Sequence, residues 1–83
     1  MNIEKTVKKM RQNKRDWLIK DILKIANHFD INVVNNGSSH YVLKHAKVSK
    51  NLSIPNHKDL HPSYITLFLN FLTVVDFEFM QQL

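Results

Sequence analysis

The chain of 83 residues has a single glycine, and this glycine lies in the strongest turn signal of the sequence. Gly37 follows two asparagines and precedes Ser38, and glycine and asparagine adopt positive φ angles more readily than other residues. The segment 31–34 before the turn is short and rich in β-branched residues, and the segment 39–45 after it can form a second strand. The pattern therefore predicts a β-hairpin with its turn at 35–38.

Side chains in the second strand of this hairpin must alternate between the two faces of a sheet. If Tyr41 and Leu43 face the core, His40 and Lys44 face outward together. The sequence thus places a histidine and a lysine on one outer face, close to a turn.

Apolar residues at helical spacing predict helices before and after the strands. A basic amphipathic helix is expected over 2–11, and a second helix over 16–28 with Asp16 as its N-cap. A third strand ends at Pro55, which has no N–H for a sheet, and Pro62 opens the last helix. The expected fold is α+β in the order α-α-β-β-β-α, a three-stranded antiparallel sheet with helices packed on one face.

A chain of this length forms one small domain, 1–83, with a basic N-terminal helix within 1–12 and a C-terminal tail at 76–83. The last helix is apolar nearly all round, which a surface helix of a small domain should not be. The residues left over from its core stripe are Leu67, Phe71, Val74 and Val75, with Phe77, Phe79 and Met80 beyond them. Two interpretations are open: this surface meets another chain, or the tail folds back over its own core.

The formal net charge is +5, and it is unevenly distributed along the chain. Residues 1–24 and 25–61 both carry an excess of bases, whereas 62–83 contain no lysine or arginine. A basic front and middle favour a polyanionic partner, although lysines that only keep a small protein soluble explain the same count.

Cysteine is absent, which removes disulfides, thiolate metal sites and thiol nucleophiles together. The N-terminal residues are charged rather than apolar, so no signal peptide is expected and a cytoplasmic location is the default. The longest apolar-rich stretch, 65–75, is too short to span a bilayer.

The residues best arranged for chemistry surround His40. An imidazole exchanges protons near neutral pH, so it can take a proton from a ribose 2′-hydroxyl or give one to a leaving 5′ oxygen. The turn residues Gly37, Ser38 and Ser39 present it, and the basic residues that could hold a phosphate backbone are Lys14, Arg15, Lys44 and Lys58. The alternative is that the histidine is structural and the charges are ordinary surface charges.

Two other chemistries are weaker interpretations of the same residues. Ser38 and Ser39 adjoin His40 in sequence and lack a nucleophile-elbow pattern, so a serine-histidine-acid triad is not favoured. His57 and His61 have metal-ligand spacing, but Pro62 argues against a helix there. Neither a metal nor another cofactor is expected.

The order of these motifs resembles the HicA family of toxins, over about residues 3–73. The resemblance is carried by 13–23 before the first core helix, Gly-Ser-Ser-His-Tyr-Val-Leu at 37–43, Leu-Ser-Ile-Pro-Asn-His at 52–57 and Leu-His-Pro-Ser-Tyr-Ile at 60–65. It implies a double-stranded-RNA-binding-like fold and a toxin that cleaves mRNA and is neutralised by a HicB antitoxin. The catalytic histidine of the family falls on His40.

The function expected from the residues and the resemblance together is a metal-independent endoribonuclease acting on mRNA. A first alternative is a non-catalytic RNA-binding module that recognises RNA shape with the same sheet and lysines. A second is an interaction protein that contacts an antitoxin or another copy of itself through the apolar last helix. No interaction with a membrane is expected.

Overall fold

The computed structural model describes residues 2–35, 37 and 39–83. Its elements in chain order are α1 (Ile3–Gln12), α2 (Ile19–His28), β1 (Asn32–Val34), β2 (His40–Lys44), β3 (Leu52–Pro55), α3 (Pro62–Val75) and α4 (Phe77–Gln81). The fold class and the predicted order α-α-β-β-β-α are confirmed, and α4 is a short additional helix in the tail. Within the described part of the chain, no helix is long and apolar enough to cross a bilayer.

The sheet is an antiparallel meander in which β2 is the central strand. Tyr41 of β2 lies opposite Ile54 of β3, and Leu43 lies opposite Val33 of β1 and Leu52 of β3. Leu43 and Ile54 are fully buried. They belong to the same core as buried residues of all four helices, which include Val7, Met10, Ile22, Ile25, Ile65, Phe68, Leu72 and Met80. The helices therefore cover this face of the sheet.

The opposite side of the sheet is called the outer face below. It is formed by Asn32 and Val34 of β1, His40, Val42 and Lys44 of β2, and Ser53 of β3. Asn32, His40, Lys44 and Ser53 are exposed, and the two valines are half-buried. The predicted alternation along β2 agrees with this exposure, because Leu43 points into the core between two outward-facing neighbours.

The predicted start of the second helix is wrong. Asp16 has a φ of 64° and does not cap α2, which begins at Ile19 with Leu18 as the N-cap residue. The cap is made from inside the helix, where the Asp21 carboxylate accepts a hydrogen bond of 2.9 Å from the Leu18 N–H. Trp17 fixes the connection, since its indole N–H donates to the Asn13 carbonyl at 2.7 Å and its own carbonyl accepts from Leu60 N–H at 3.2 Å.

The C-terminal tail folds back over the core of its own chain, as one of the two interpretations expected. Met80 is 3% exposed, and its carbonyl accepts a hydrogen bond of 2.7 Å from Arg11 Nη1. Phe79 meets Phe29 edge to face, with ring centroids 5.1 Å apart. The rest of the apolar excess stays at the surface, because Leu67, Val74 and Phe77 are about half exposed or more.

Replacing Asp21 with alanine is expected to lower the free energy of unfolding by about 1 kcal/mol, because the Leu18 N–H loses its acceptor and the helix start loses a negative charge. Urea denaturation of the purified chain measures this. Asp16→Gly also removes one negative charge, but it places glycine at a left-handed backbone position that glycine adopts freely. The stability of this variant should therefore be unchanged or slightly higher. An equal loss in both variants would contradict this description of the helix start.

Candidate functional site

His40 is the first residue of β2 and lies on the outer face, where it is exposed. Its Cα partner in β3 is Pro55. Its carbonyl accepts a hydrogen bond of 3.1 Å from the Asn35 side-chain amide, which lies on the other side of the hairpin turn. The backbone of the histidine is thus held by the strand pair on one side and by the turn on the other.

The turn beside His40 is built around Asn35 and Gly37. The Asn35 carbonyl oxygen Oδ1 accepts a hydrogen bond of 3.1 Å from Gly37 N–H, which is the local bond that asparagine makes in turns. Gly37 has a φ of +74°, and a Cβ at this position would meet no atom within 4 Å. Glycine is therefore favoured by the backbone conformation rather than by lack of space. The other predicted turn residues, Asn36 and Ser38, lie outside the described residues.

Ser39 contacts the imidazole directly, with its hydroxyl oxygen 3.0 Å from His40 Nδ1. Either atom can be the donor, depending on the tautomer of the ring. The contact engages Nδ1 of the ring. The hydroxyl of Ser39 is thus placed to orient the ring.

Lys44 shares the outer face with His40 but lies at the other end of β2, where it is exposed opposite Asn32. Four residues of strand correspond to about 13 Å. At this separation, Lys44 is suited to contact a different phosphate from the one beside the histidine.

The loop after β3 brings further basic residues to the end of the sheet where His40 lies. Asn56 N–H donates to the Ser39 carbonyl at 2.7 Å, which ties the loop to the start of β2. His57 and Lys58 then line a shallow depression together with Lys20 of α2. Lys20 was not among the predicted site residues, since only the tertiary packing of this loop against the start of α2 brings it there.

The structure places Lys14 among the helices rather than on the outer face. Lys14 Nζ donates to the Arg11 carbonyl at 3.2 Å and lines a cleft formed by residues of the helices and the α1–α2 connection, including Asn70 and Gln81. Arg15 is exposed in the connection between α1 and α2. Of the four predicted phosphate-binding residues, Lys44 lies on the outer face and Lys58 follows the strand that ends opposite His40.

Of the two histidines with metal-ligand spacing, His57 and His61, the second caps a helix. His61 is the N-cap residue of α3, and its Nδ1 accepts a hydrogen bond of 3.1 Å from Ser63 N–H. No group of three or more metal-ligating side chains lies together among residues 2–35, 37 and 39–83.

The outer face itself has one lysine, Lys44, and no acidic residue. The other lysines of the segment 31–58 lie elsewhere: Lys50 lines a groove with residues of α3, and Lys47 lines a depression with Asp30 and Asp76. Lys58 is followed directly by Asp59. The positive charge of the outer face is thus concentrated at Lys44.

Comparisons of the chain with protein-family models, with curated proteins and with solved structures found no match.

Ser39→Ala is expected to change the tautomer ratio of His40, because the hydroxyl next to Nδ1 selects which ring nitrogen carries the proton. Two-dimensional ¹H–¹⁵N NMR of the imidazole nitrogens measures the ratio. Ser63→Ala is the matched control, since Ser63 Oγ lies 2.8 Å from His61 Nδ1 in the same kind of contact. Each substitution should alter the signals of its own histidine only. Unchanged His40 signals in Ser39→Ala would disprove the orienting role of Ser39.

Proposed function

We propose that this protein is an endoribonuclease that cleaves mRNA with His40 as its proton-transfer group. The observation that carries the proposal is the position of His40, exposed on a sheet face that has Lys44 but no acidic residue, with Nδ1 held by Ser39. A histidine oriented in this way can exchange a proton with a bound ligand, and the surrounding charge favours a phosphate backbone as that ligand.

The reaction follows from the chemistry of RNA. His40 Nε2 takes the proton of a ribose 2′-hydroxyl, the 2′ oxygen attacks the adjacent phosphorus, and the bond from phosphorus to the 5′ oxygen breaks. The 5′ oxygen leaves with a proton, which gives a 2′,3′-cyclic phosphate and a 5′-hydroxyl end. In the other tautomer, Nε2 carries the proton and serves the leaving oxygen instead. Because DNA lacks the 2′-hydroxyl, this route selects RNA.

The second proton carrier is proposed to be His57, in the loop after β3, which gives its proton to the leaving 5′ oxygen. His57 follows Pro55, the strand partner of His40, by two residues. Lys58 and Lys20 line the same depression as His57, so a phosphate held there would lie beside the end of the sheet that bears the catalytic histidine. Lys44 binds the RNA backbone further along the outer face.

The resemblance to HicA toxins supports a biological setting for this activity. In this setting the chain is the toxin of a type II toxin–antitoxin system and acts in the cytoplasm. A HicB-like antitoxin neutralises it. The glycine-serine-histidine turn that carries the resemblance includes Gly37, which lies before β2, and His40, which is the first residue of β2.

His40→Ala is expected to slow RNA cleavage by about 10²- to 10⁴-fold, the usual contribution of a general acid or base. The rate is measured with purified protein and a labelled single-stranded RNA, and toxicity is measured as growth and RNA integrity after induction in cells. Wild-type cleavage should persist in EDTA, because no step uses a metal. Equal cleavage or equal toxicity of His40→Ala would refute the assignment.

His28→Ala is the matched control for this experiment. His28 is also an exposed histidine, but it lies in the last turn of α2 against Phe29. Its replacement should leave cleavage unchanged. A comparable loss in both variants would mean that His40 acts through stability rather than chemistry, which the urea denaturation of both variants would also show.

One observation favours a second candidate, an RNA-binding module without catalysis. The segment that forms the outer face has no carboxylate, so a second proton-transfer group must be borrowed from the loop. A binding module needs only the shape of the sheet and its lysines, and it would bind RNA without cutting it in both wild type and His40→Ala.

Lys44→Ala is expected to weaken RNA binding and to reduce the slope of log affinity against log salt by about one unit, the effect of removing one phosphate contact. Fluorescence anisotropy over a salt series measures both quantities. Lys24→Ala on α2, also exposed, is the matched control and should leave the slope unchanged. If Lys44→Ala and wild type have the same slope, the proposal that the outer face contacts the RNA backbone is wrong.

A further inference from the structure

β3 is an edge strand of the sheet, because the strand order is β1-β2-β3. Beyond the ladder with β2, the backbone groups of Leu52, Ser53 and Ile54 make no hydrogen bond to another described residue. Alternate N–H and C=O groups of an edge strand point away from the sheet and are able to pair with another chain. Pro55 has no N–H, so the free edge ends there.

An apolar groove runs beside this edge, between β3 and α3. It is lined by Val48, Lys50, Asn51, Leu52, Ser53, Leu67, Asn70, Phe71 and Val74, and we call it the β3–α3 groove. Leu67 is 47% exposed and Val74 is 52% exposed. Of the three large apolar side chains that are exposed in the described part of the chain, two therefore line the groove, and the third, Phe77, lies outside it.

The dimensions of the two walls match. Four residues of β3 span about 13 Å, and the seven steps from Leu67 to Val74 rise about 10 Å along α3. An extended segment of about four residues would therefore pair with β3 over its full length. Side chains on one of its faces would lie against Leu67 and Val74.

The charge of the groove indicates what kind of segment fits. Lys50, which is exposed, lines it near the start of β3. No acidic residue is among the described residues that line it. The groove is thus apolar, with a positive charge and no negative charge in its lining.

We propose that the β3–α3 groove binds an extended acidic segment of another protein, which adds to the sheet as a strand next to β3. Its backbone pairs with the free edge, its apolar side chains on one face contact Leu67 and Val74, and an acidic residue near one end pairs with Lys50. The proposal does not rest on RNA cleavage, because neither His40 nor Ser39 lines the groove.

A second copy of this chain is a poorer occupant than an acidic segment. In an antiparallel pair of two β3 strands, Lys50 of each chain finds no acidic side chain in the groove of the other, since none lines it. Lysines on edge strands are also a common protection against such pairing.

The proposal is tested with four synthetic decapeptides in which glutamate alternates with valine, isoleucine, leucine or phenylalanine. Binding to the full chain is measured by fluorescence anisotropy at low salt. At least one peptide should bind, and its counterpart with lysine in place of glutamate should bind at least about tenfold more weakly. N-methylation of the alternate peptide nitrogens whose N–H groups would point towards β3 should abolish binding, since it removes the strand hydrogen bonds.

Variants of the chain locate the peptide. Leu67→Glu and Lys50→Glu should each weaken binding about tenfold or more, the effect of losing one important contact. Phe77→Glu is the matched control because it changes an exposed apolar residue outside the groove. His40→Ala should bind the peptide as the wild type does, so this test and the cleavage test fail independently. Circular dichroism confirms that each variant is folded.

Three results would overturn the proposal. The first is that no glutamate peptide binds more tightly than its lysine counterpart. The second is that N-methylation, or the substitution at Leu67, leaves binding unchanged. The third is that the wild-type chain is a dimer in sedimentation experiments and Leu67→Glu makes it a monomer, which would assign the groove to a second copy.

Discussion

The burial of Leu43 and Ile54 beneath the helices is the contact on which the arrangement of the sheet depends. Both side chains are fully buried, and strand side chains alternate, so this burial determines which residues face outward. A shift of one residue in β2 would place His40 and Lys44 in the core and expose Leu43. The cost of burying a charged lysine excludes that register. The packing of the core therefore determines which strand residues form the outer face.

Features that depend on one residue or on residues adjacent in sequence were predictable. The hairpin around Gly37, the strand end at Pro55 and the helix start at Pro62 follow from the allowed backbone of single residues. The start of α2 was not predictable in this way. Asp16 has a positive φ, Trp17 is hydrogen-bonded to Leu60 of the loop before α3, and Asp21 makes the cap instead. A good capping residue does not by itself fix a helix start, because propensity is only one contribution.

The candidate site shows the same division. The outward direction of His40 follows from alternation along one strand, and the sequence was sufficient for it. The grouping of the basic residues was not, because Lys20 comes from α2 and joins His57 and Lys58 only through packing, while Lys14 is held among the helices. The apolar surplus of the last helix also divides by packing, with Met80 buried in the core of its own chain and Leu67 and Val74 left at the surface.

Because the sheet is a meander, the residues of the candidate site and most residues of the core come from different parts of the chain. His40, Lys44 and Lys58 lie within one continuous stretch, and short turns set their relative positions. Most of the core comes from the helices outside this stretch. Substitutions in the helices that keep Leu43 and Ile54 buried therefore alter how many molecules are folded more than they alter the positions of these strand residues. Any property of the outer face would then follow the concentration of folded chain, and a modest loss of stability would act as a lower concentration.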